Sequence, residues 1–189
     1  MHYITPIENL SSMLQRGILS NRRARPLRPQ SIAKLEVQTL RARVRIPGGR
    51  ALHEYANLYI CARNPMMFKR AALHEETCVL RVSTDVLDLP DVVITDQNAA
   101  SGYCRFMPSP SGLAIVDRQM AFADDWRHPG NPAAYYRHRS VKCAEVLVPD
   151  AVPPHYIVGA YASGARPERL LTECAPKLPV VINAHIFFR

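Results

Sequence analysis

Glu145 is the acid in this chain whose setting most suggests chemistry. It stands in Val141-Lys142-Cys143-Ala144-Glu145-Val146-Leu147-Val148, an apolar run that reads as a β-strand. A period of two puts Val141, Cys143, Glu145 and Leu147 on one face. A carboxylate in the middle of such a face is costly unless it is paired or the face lines a cleft. Two readings follow. Glu145 is either an edge-strand acid neutralised by a nearby arginine, or a catalytic carboxylate poised over a basic pocket.

The formal charge of +8 is concentrated in one segment. From Arg16 to Arg50 there are ten basic residues, opposed only by Glu36, while the rest of the chain carries fourteen basic and fifteen acidic residues. Such a run is either a solvated surface or the footprint of a polyanion, because arginine forks match phosphates and clustered charge steers nucleic acid. Lys34, Gln38, Arg41 and Arg45 recur at helical spacing and would share one face. Val37, Leu40 and Val44 would form an opposite, core-facing stripe.

Other chemistries are disfavoured by motif. The chain contains no Gly-x-Gly-x-x-Gly, Walker loop, Gly-x-Ser-x-Gly elbow or His-Glu-x-x-His, which argues against Rossmann, P-loop, α/β-hydrolase and zincin chemistry. The seven histidines are scattered; His53-Glu54 and His74-Glu75-Glu76 have no partner at ligand spacing, and read as solvated or core residues. The five cysteines form no Cys-x-x-Cys, so reduced thiols are expected, with no disulfide framework and no metal site. No apolar stretch approaches the ~20 residues of a membrane span, and Met1-His2-Tyr3-Ile4-Thr5-Pro6 lacks a signal-peptide pattern. A soluble, cytoplasmic protein is expected.

The elements that would position these residues follow from local signals. Thr5-Pro6-Ile7-Glu8 reads as a helix start, with Gly17 as the C-cap. Asn21 to Pro29 reads as a loop before the basic helix, which Ile46-Pro47-Gly48-Gly49 ends. A strand at 57–62 leads into an Asn64-Pro65 helix start running to about Leu73. Strands are expected at 77–83, 91–95, 141–148, 156–161 and 180–188, with short helices near 97–104 and 117–123 and a further helix start at Asn131-Pro132. Helices lead and strands follow, with 48% hydrophobic and 21% charged residues, no repeat and no linker. This predicts one mixed α+β domain over residues 1–189.

The chain also resembles the DarT family of DNA ADP-ribosyltransferase toxins. The resemblance rests on Tyr3-Ile4-Thr5-Pro6-Ile7-Glu8-Asn9-Leu10, Leu52-His53-Glu54-Tyr55, Tyr59-Ile60-Cys61-Ala62-Arg63-Asn64-Pro65-Met66 and Lys142-Cys143-Ala144-Glu145-Val146-Leu147-Val148, in that order. It implies an ADP-ribosyltransferase fold, a split central β-sheet flanked by helices, and NAD as co-substrate without a metal. By resemblance, Glu145 is the catalytic glutamate that holds the nicotinamide ribose and favours an oxocarbenium-like state. Arg41 would position NAD and assist removal of the target proton, although a charged guanidinium is a poor base.

The same resemblance assigns NAD contacts to Tyr3, Ile4, Thr5, Ser12, Leu19 and Arg41, and DNA contacts to Lys34, Arg45, Arg63 and Met66. Met66 reads equally as a stacking residue or as core. Trp126, Tyr135 and Tyr136 are candidate stacking residues in the loop before Glu145. The family commonly carries histidines where Tyr3 and Pro6 stand, and Pro-Arg-Ser/Thr-Pro where this chain has Ala62-Arg63-Asn64-Pro65. The implied function is transfer of ADP-ribose from NAD to thymine or guanine in single-stranded DNA, opposed by a macrodomain antitoxin that reverses the mark. A non-catalytic nucleic-acid binding module, and transfer to RNA or protein, are the alternatives.

Overall fold

The computed structural model describes residues 1–32 and 35–189. The chain opens with β1 (His2–Pro6), α1 (Leu10–Arg16), β2 (Ile18–Leu19), α2 (Asn21–Ala24) and α3 (Leu35–Ala42). It continues through β3 (Tyr55–Tyr59), α4 (Pro65–Phe68), β4 (Thr77–Val82), β5 (Val93–Thr95) and β6 (Phe106–Pro108). After α5 (Arg118–Phe122) and α6 (Pro132–Val141) come β7 (Glu145–Pro149), β8 (Ala151–Val152), β9 (Ile157–Ala162), α7 (Ala165–Cys174) and β10 (Val180–Ile182).

Eight of these strands form one sheet in the order β10-β9-β4-β1-β3-β7-β5-β6, and β2 pairs with β8 beside it. All neighbours are antiparallel except β10 and β9. The sheet is split in the middle. β1 stays in register with β4 from His2 to Pro6, and β3 with β7 from Tyr55 to Tyr59. Between β1 and β3, however, the only register pair is His2 with Tyr59. Past that pair the strands diverge, leaving backbone groups along one edge of β1 free of a sheet partner.

Strand alternation sends residues to cores on both faces. Leu10, Ile18, Leu58, Leu80, Val146 and Leu171 share the largest cluster, which α1 and α7 help to cover. Ile4, Met67, Val79 and Phe187 pack in a second cluster, and Ile46, Leu52, Tyr55 and Leu147 in a third. The result is the mixed α+β fold with a split sheet and flanking helices that the sequence predicts.

Several local expectations are corrected. Thr5 and Pro6 belong to β1, not to a helix start, because Thr5 pairs with Cys78 across the sheet and tertiary pairing overrides the cap signal. Asn21 to Pro29 is not a loop: the Ser20 hydroxyl accepts from the Arg23 amide and opens α2, and Arg25–Leu27 adds a 3-10 turn. Residues 97–104 form turns, not a helix, since the Asn98 side chain takes the Ala100 amide at 2.9 Å. α4 stops at Phe68, short of Leu73. The basic helix already ends at Ala42.

The run from Val141 to Val148 is not one strand. α6 extends through Val141, a turn follows, and the strand begins only at Glu145, so Val141 and Cys143 do not share its face. β7 also lies inside the sheet between β3 and β5, so Glu145 is not an edge residue. At the C-terminal end only Val180–Ile182 is a strand; Asn183 then caps a 3-10 turn that buries Phe187. Helix α7 carries no start signal among those read from the sequence.

Candidate active site

The split in the sheet opens into a cavity of about 930 Å³, toward the upper end of the ~300–1,000 Å³ range of small-molecule sites. Tyr3, Ile4 and Thr5 on β1, Ser12 on α1, Leu19 on β2 and Arg41 on α3 all line it. These residues are far apart in sequence. β1 diverging from β3 supplies one wall, and α1 followed by Gly17 turns the chain back along it. Gly17 has φ +83°, and a Cβ there would stand 2.1 Å from the Val152 carbonyl oxygen, so only glycine fits this turn.

Arg41 and Glu145 meet inside this site. Nη1 and Nη2 of Arg41 donate to Oε1 and Oε2 of Glu145, each at 2.9 Å, in a two-pronged pair. The Ala99 amide donates to Oε1 at 3.0 Å, and the Glu145 amide donates to Thr95 Oγ1 at 2.9 Å, so the strand end is pinned from β5. Arg41 is 7% exposed and Glu145 0%. Burial by itself would lower the Arg41 pKa, but the facing carboxylate outweighs it and holds the guanidinium pKa above its ordinary value. Glu145 is thus paired with an arginine as the first reading expected, though on an inner strand and not an edge, and that arginine lines the cavity.

This explains why the predicted core-facing stripe of α3 is met only in part: Val44 packs against the third core, while Val37 and Leu40 line the cavity beside Arg41. Val37 and Leu40 are exposed, at 37% and 54%, whereas Arg41 is buried. The inward neighbour of α3 is not an oily core but a carboxylate, and a buried acid with an incomplete partner set costs far more than two solvated aliphatics. Lys34 lies outside the described residues. Arg45 sits past the helix, exposed, in an isolated bridge with Ala51, and does not line the cavity.

The 63–66 turn forms as its capping signal predicts. Asn64 Oδ1 accepts from the Met66 and Met67 amides, each at 3.0 Å. Met66 packs against the second core, as its core reading expects, and also lines the cavity. Arg63 points elsewhere: its guanidinium lies 3.9 Å over the Phe188 ring, donates to the His185 carbonyl and sits 3.6 Å from Asp124. Trp126 is buried in edge-to-face contact with Phe68 and Phe188, which removes it from the stacking candidates. Tyr136 is exposed and lines the cavity; Tyr135 packs edge-on against it.

Residues given no site role from sequence also line it: His53, which was read as a solvated or core histidine, Tyr55, Asn57 and Tyr59 from the 52–59 segment, and Arg139, Ser140 and Cys143 from the end of α6 onward. Burial raises the Tyr3 phenol pKa, opposed by Arg41. Burial also raises Tyr59, with the Glu145 carboxylate adding to it. Cys143 is pushed up to about 12 by burial and the same carboxylate. His53 is shifted down, by burial and then by the Arg41 charge, and its Nε2 is buried without a hydrogen-bond partner. The one sequence signal for His53 was its place in Leu52-His53-Glu54-Tyr55.

A split sheet over a cavity of this size, with Arg41 in its wall and Glu145 buried against it, suits a small-molecule ligand, and known proteins narrow the class. A DNA ADP-ribosyl transferase of Thermus aquaticus is 30% identical over 167 residues, covering 81% of this chain and 70% of that protein. A DNA ADP-ribosyl transferase–DNA ADP-ribosyl glycohydrolase fusion protein of Thermosipho africanus is 29% identical and matches all of this chain, which spans 49% of the fusion's length. The structure of Thermus sp. 2.9 DarT in complex with ADP-ribosylated ssDNA superposes with a TM-score of 0.82 at 25% identity, over 98% of this chain and 94% of that one. The sequence model of the family described as "ssDNA thymidine ADP-ribosyltransferase, DarT" matches residues 2–188, and the chain belongs to that family.

Proposed function

We propose that residues 1–189 act as one catalytic domain that transfers ADP-ribose from NAD to thymine in single-stranded DNA and releases nicotinamide. The observation that carries this reading is Arg41 in the wall of the cavity, paired two-pronged with the fully buried Glu145 behind it, within a chain of this family. The family description favours thymine over guanine among the bases left open by the sequence.

In this reading NAD lies along β1 and α1, against Tyr3, Ile4, Thr5, Ser12 and Leu19. The unpaired edge of β1 offers amides and carbonyls to a planar carboxamide. Glu145 stabilises the positive charge that develops on the ribose as the bond to nicotinamide breaks. Its carboxylate is covered by Arg41 in the free protein, so Arg41 turns onto the incoming substrate and uncovers it. Arg41 then serves as a fixed positive charge, since its guanidinium keeps its proton. Tyr136 and Met66 at the cavity wall are the residues placed to stack on a splayed base. Arg45, outside the cavity, and Lys34 remain candidates for phosphate contacts, and Arg63 for a supporting role in the turn that presents Met66.

No helix among the described residues is long and apolar enough to cross a membrane, and a DNA substrate fits action in the cytoplasm. The fused glycohydrolase of the Thermosipho africanus relative supports a macrodomain-type partner that removes the mark, and with it a toxin role for this chain.

The test is incubation with NAD and single-stranded oligonucleotide pools, each lacking one base, with the DNA read by mass. A gain of one ADP-ribose in every pool except the thymine-free one is the expected result. No gain in any pool, with tight DNA binding kept, supports the non-catalytic module; gain on RNA or protein alone moves the target.

A further inference from the structure

If the base reading above holds, the reaction has a proton to dispose of. Thymine in DNA carries a single ring N–H, at N3, because N1 is bonded to deoxyribose. Whichever of O2, N3 or O4 bonds to the anomeric carbon, that proton must leave. The bond from the anomeric carbon to nicotinamide breaks with its electron pair going to the pyridine nitrogen. A new bond forms to the base, and the positive charge that began on the nicotinamide ends as a proton on some acceptor.

The cavity offers few acceptors. Arg41 is a guanidinium, which keeps its proton in a protein with or without a facing carboxylate, and in the free protein Glu145 raises its pKa further. Glu145 already takes two donors on Oε1 and one on Oε2, and charge stabilisation needs it ionised and unprotonated throughout. The Tyr3 and Tyr59 phenols and the Cys143 thiol are all shifted up by burial, which makes them donors. Glu8 is exposed at the rim. Glu54 is taken by the Ala51 amide and by Arg22.

We propose that His53, a cavity-lining imidazole beside Arg41 whose Nε2 has no hydrogen-bond partner among the described residues, accepts the N3 proton of the target thymine. A buried ring nitrogen without a partner is uncommon in a folded protein and marks a place where a ligand or a rearrangement completes the set. The 3-10 turn Leu52–Glu54 and the start of β3 fix the ring's position, with Leu52 buried behind it. Arg41 is the charge next to it. The turn of Arg41 that uncovers Glu145 therefore changes the imidazole's surroundings in the same motion. Burial, followed by the Arg41 charge, shifts the imidazole down from its ordinary value, so it is neutral and able to accept at pH 7. Once protonated beside Arg41, it releases the proton to solvent readily. Arg41 is the charge that acts on it, Glu54 follows it in the chain, and Tyr3, Glu8, Arg28, Tyr55, Tyr59, Lys69, Arg70, Tyr136, Arg139 and Cys143 are the other charged or titratable groups that line the same cavity.

The experiment measures single-turnover transfer to a thymine oligonucleotide across pH for the wild type, His53→Gln and His53→Asn, with NAD affinity measured alongside. The same series is run on 5-bromouracil, which matches thymine in size and has a more acidic N3–H. His53→Gln is expected to lower transfer by about 10²–10⁴-fold, to keep NAD affinity, and to lose the acid limb of the pH profile. Its defect should shrink at high pH and on 5-bromouracil. The proposal is overturned if either variant stays within about threefold of wild type with an unchanged profile. It is also overturned if both lose the same factor on both bases at every pH, which is the signature of a packing role. A wild-type protein that modifies no DNA removes the parent reading and this one together, whereas an active wild type with unaffected variants removes this one alone.

Discussion

At the scale of single residues, the buried pair explains both cost and use. Arg41 and Glu145 are removed from water together, and each is tolerable only because the other is present. Truncating one partner should be severe: Arg41→Ala leaves the carboxylate with only the Ala99 amide, and should cost about 3–5 kcal/mol of stability. Replacing both by methionine removes the uncompensated charge and should bring stability back to within about 1–2 kcal/mol of wild type. Glu145→Gln keeps the shape of the side chain but not its charge, and should abolish transfer while leaving DNA binding intact or stronger. Chemical denaturation of the three variants, read beside the oligonucleotide assay, checks the set. A double variant no more stable than Arg41→Ala would mean that the pair is not a coupled unit. Glu145 was legible from sequence because an acid in an apolar run is conspicuous. His53 was not, because a lone histidine in a polar neighbourhood carries no pattern, and only the cavity gives it a role.

At the scale of elements, the site depends on short pieces held at their ends. α1 closes on Gly17, whose amide donates to the Met13 carbonyl at 2.8 Å and whose φ is +83°. Gly17→Ala forces a methyl group into the Val152 carbonyl, so the chain from Ser12 to Leu19 must move. A loss of at least 2 kcal/mol is expected, together with weaker NAD binding, measured by denaturation and titration; NAD affinity at the wild-type value would show that this wall does not contact the dinucleotide. Lys142 does a related job on the opposite side. It is 1% exposed, and its Nζ donates to the Ala121 and Ala123 carbonyls at 3.1 and 2.6 Å, tying the end of α5 to the turn that precedes Glu145. Such ties are invisible to local propensity. The same is true of α3, where a distant acid on β7 drew Arg41 inward and left Val37 and Leu40 on the cavity wall instead of in a core.

At the scale of the whole molecule, the split between β1 and β3 is both the weakest seam of the sheet and the entrance to the site. His2 stands at the one pairing that crosses it, its Nδ1 3.2 Å from the Ile60 carbonyl oxygen and its ring stacked on Tyr161. Burial, helped by the nearby N-terminal charge, lowers its pKa from 6.5 to about 4. Between those values the unfolded chain binds a proton that the folded chain refuses, so stability is present above pH 6.5 and is lost as the pH falls toward 4. The contribution is on the order of 2–3 kcal/mol. His2→Gln should flatten this part of the stability–pH curve; a slope unchanged by the substitution would place the acid sensitivity in other groups. The charge of +8 belongs to the same scale: its effect on DNA binding is long-ranged, and should weaken steeply with added salt.

The amino-acid order alone determined the class of fold, the position of an acid in an apolar run, the basic segment that holds its arginine partner, and the family pattern that contains the acid. These are properties of composition, period and motif, which a linear chain displays directly. It did not determine which way α3 faces, that Arg63 and Trp126 are spent on packing with the last residues, or that His53 joins the cavity. Each of those depends on what stands opposite in space, and the partner is about a hundred residues away in the case of Arg41 and Glu145. Pairing across that distance is worth more than any local preference, because a buried charge without its partner costs several kcal/mol and a helix turned the wrong way costs far less.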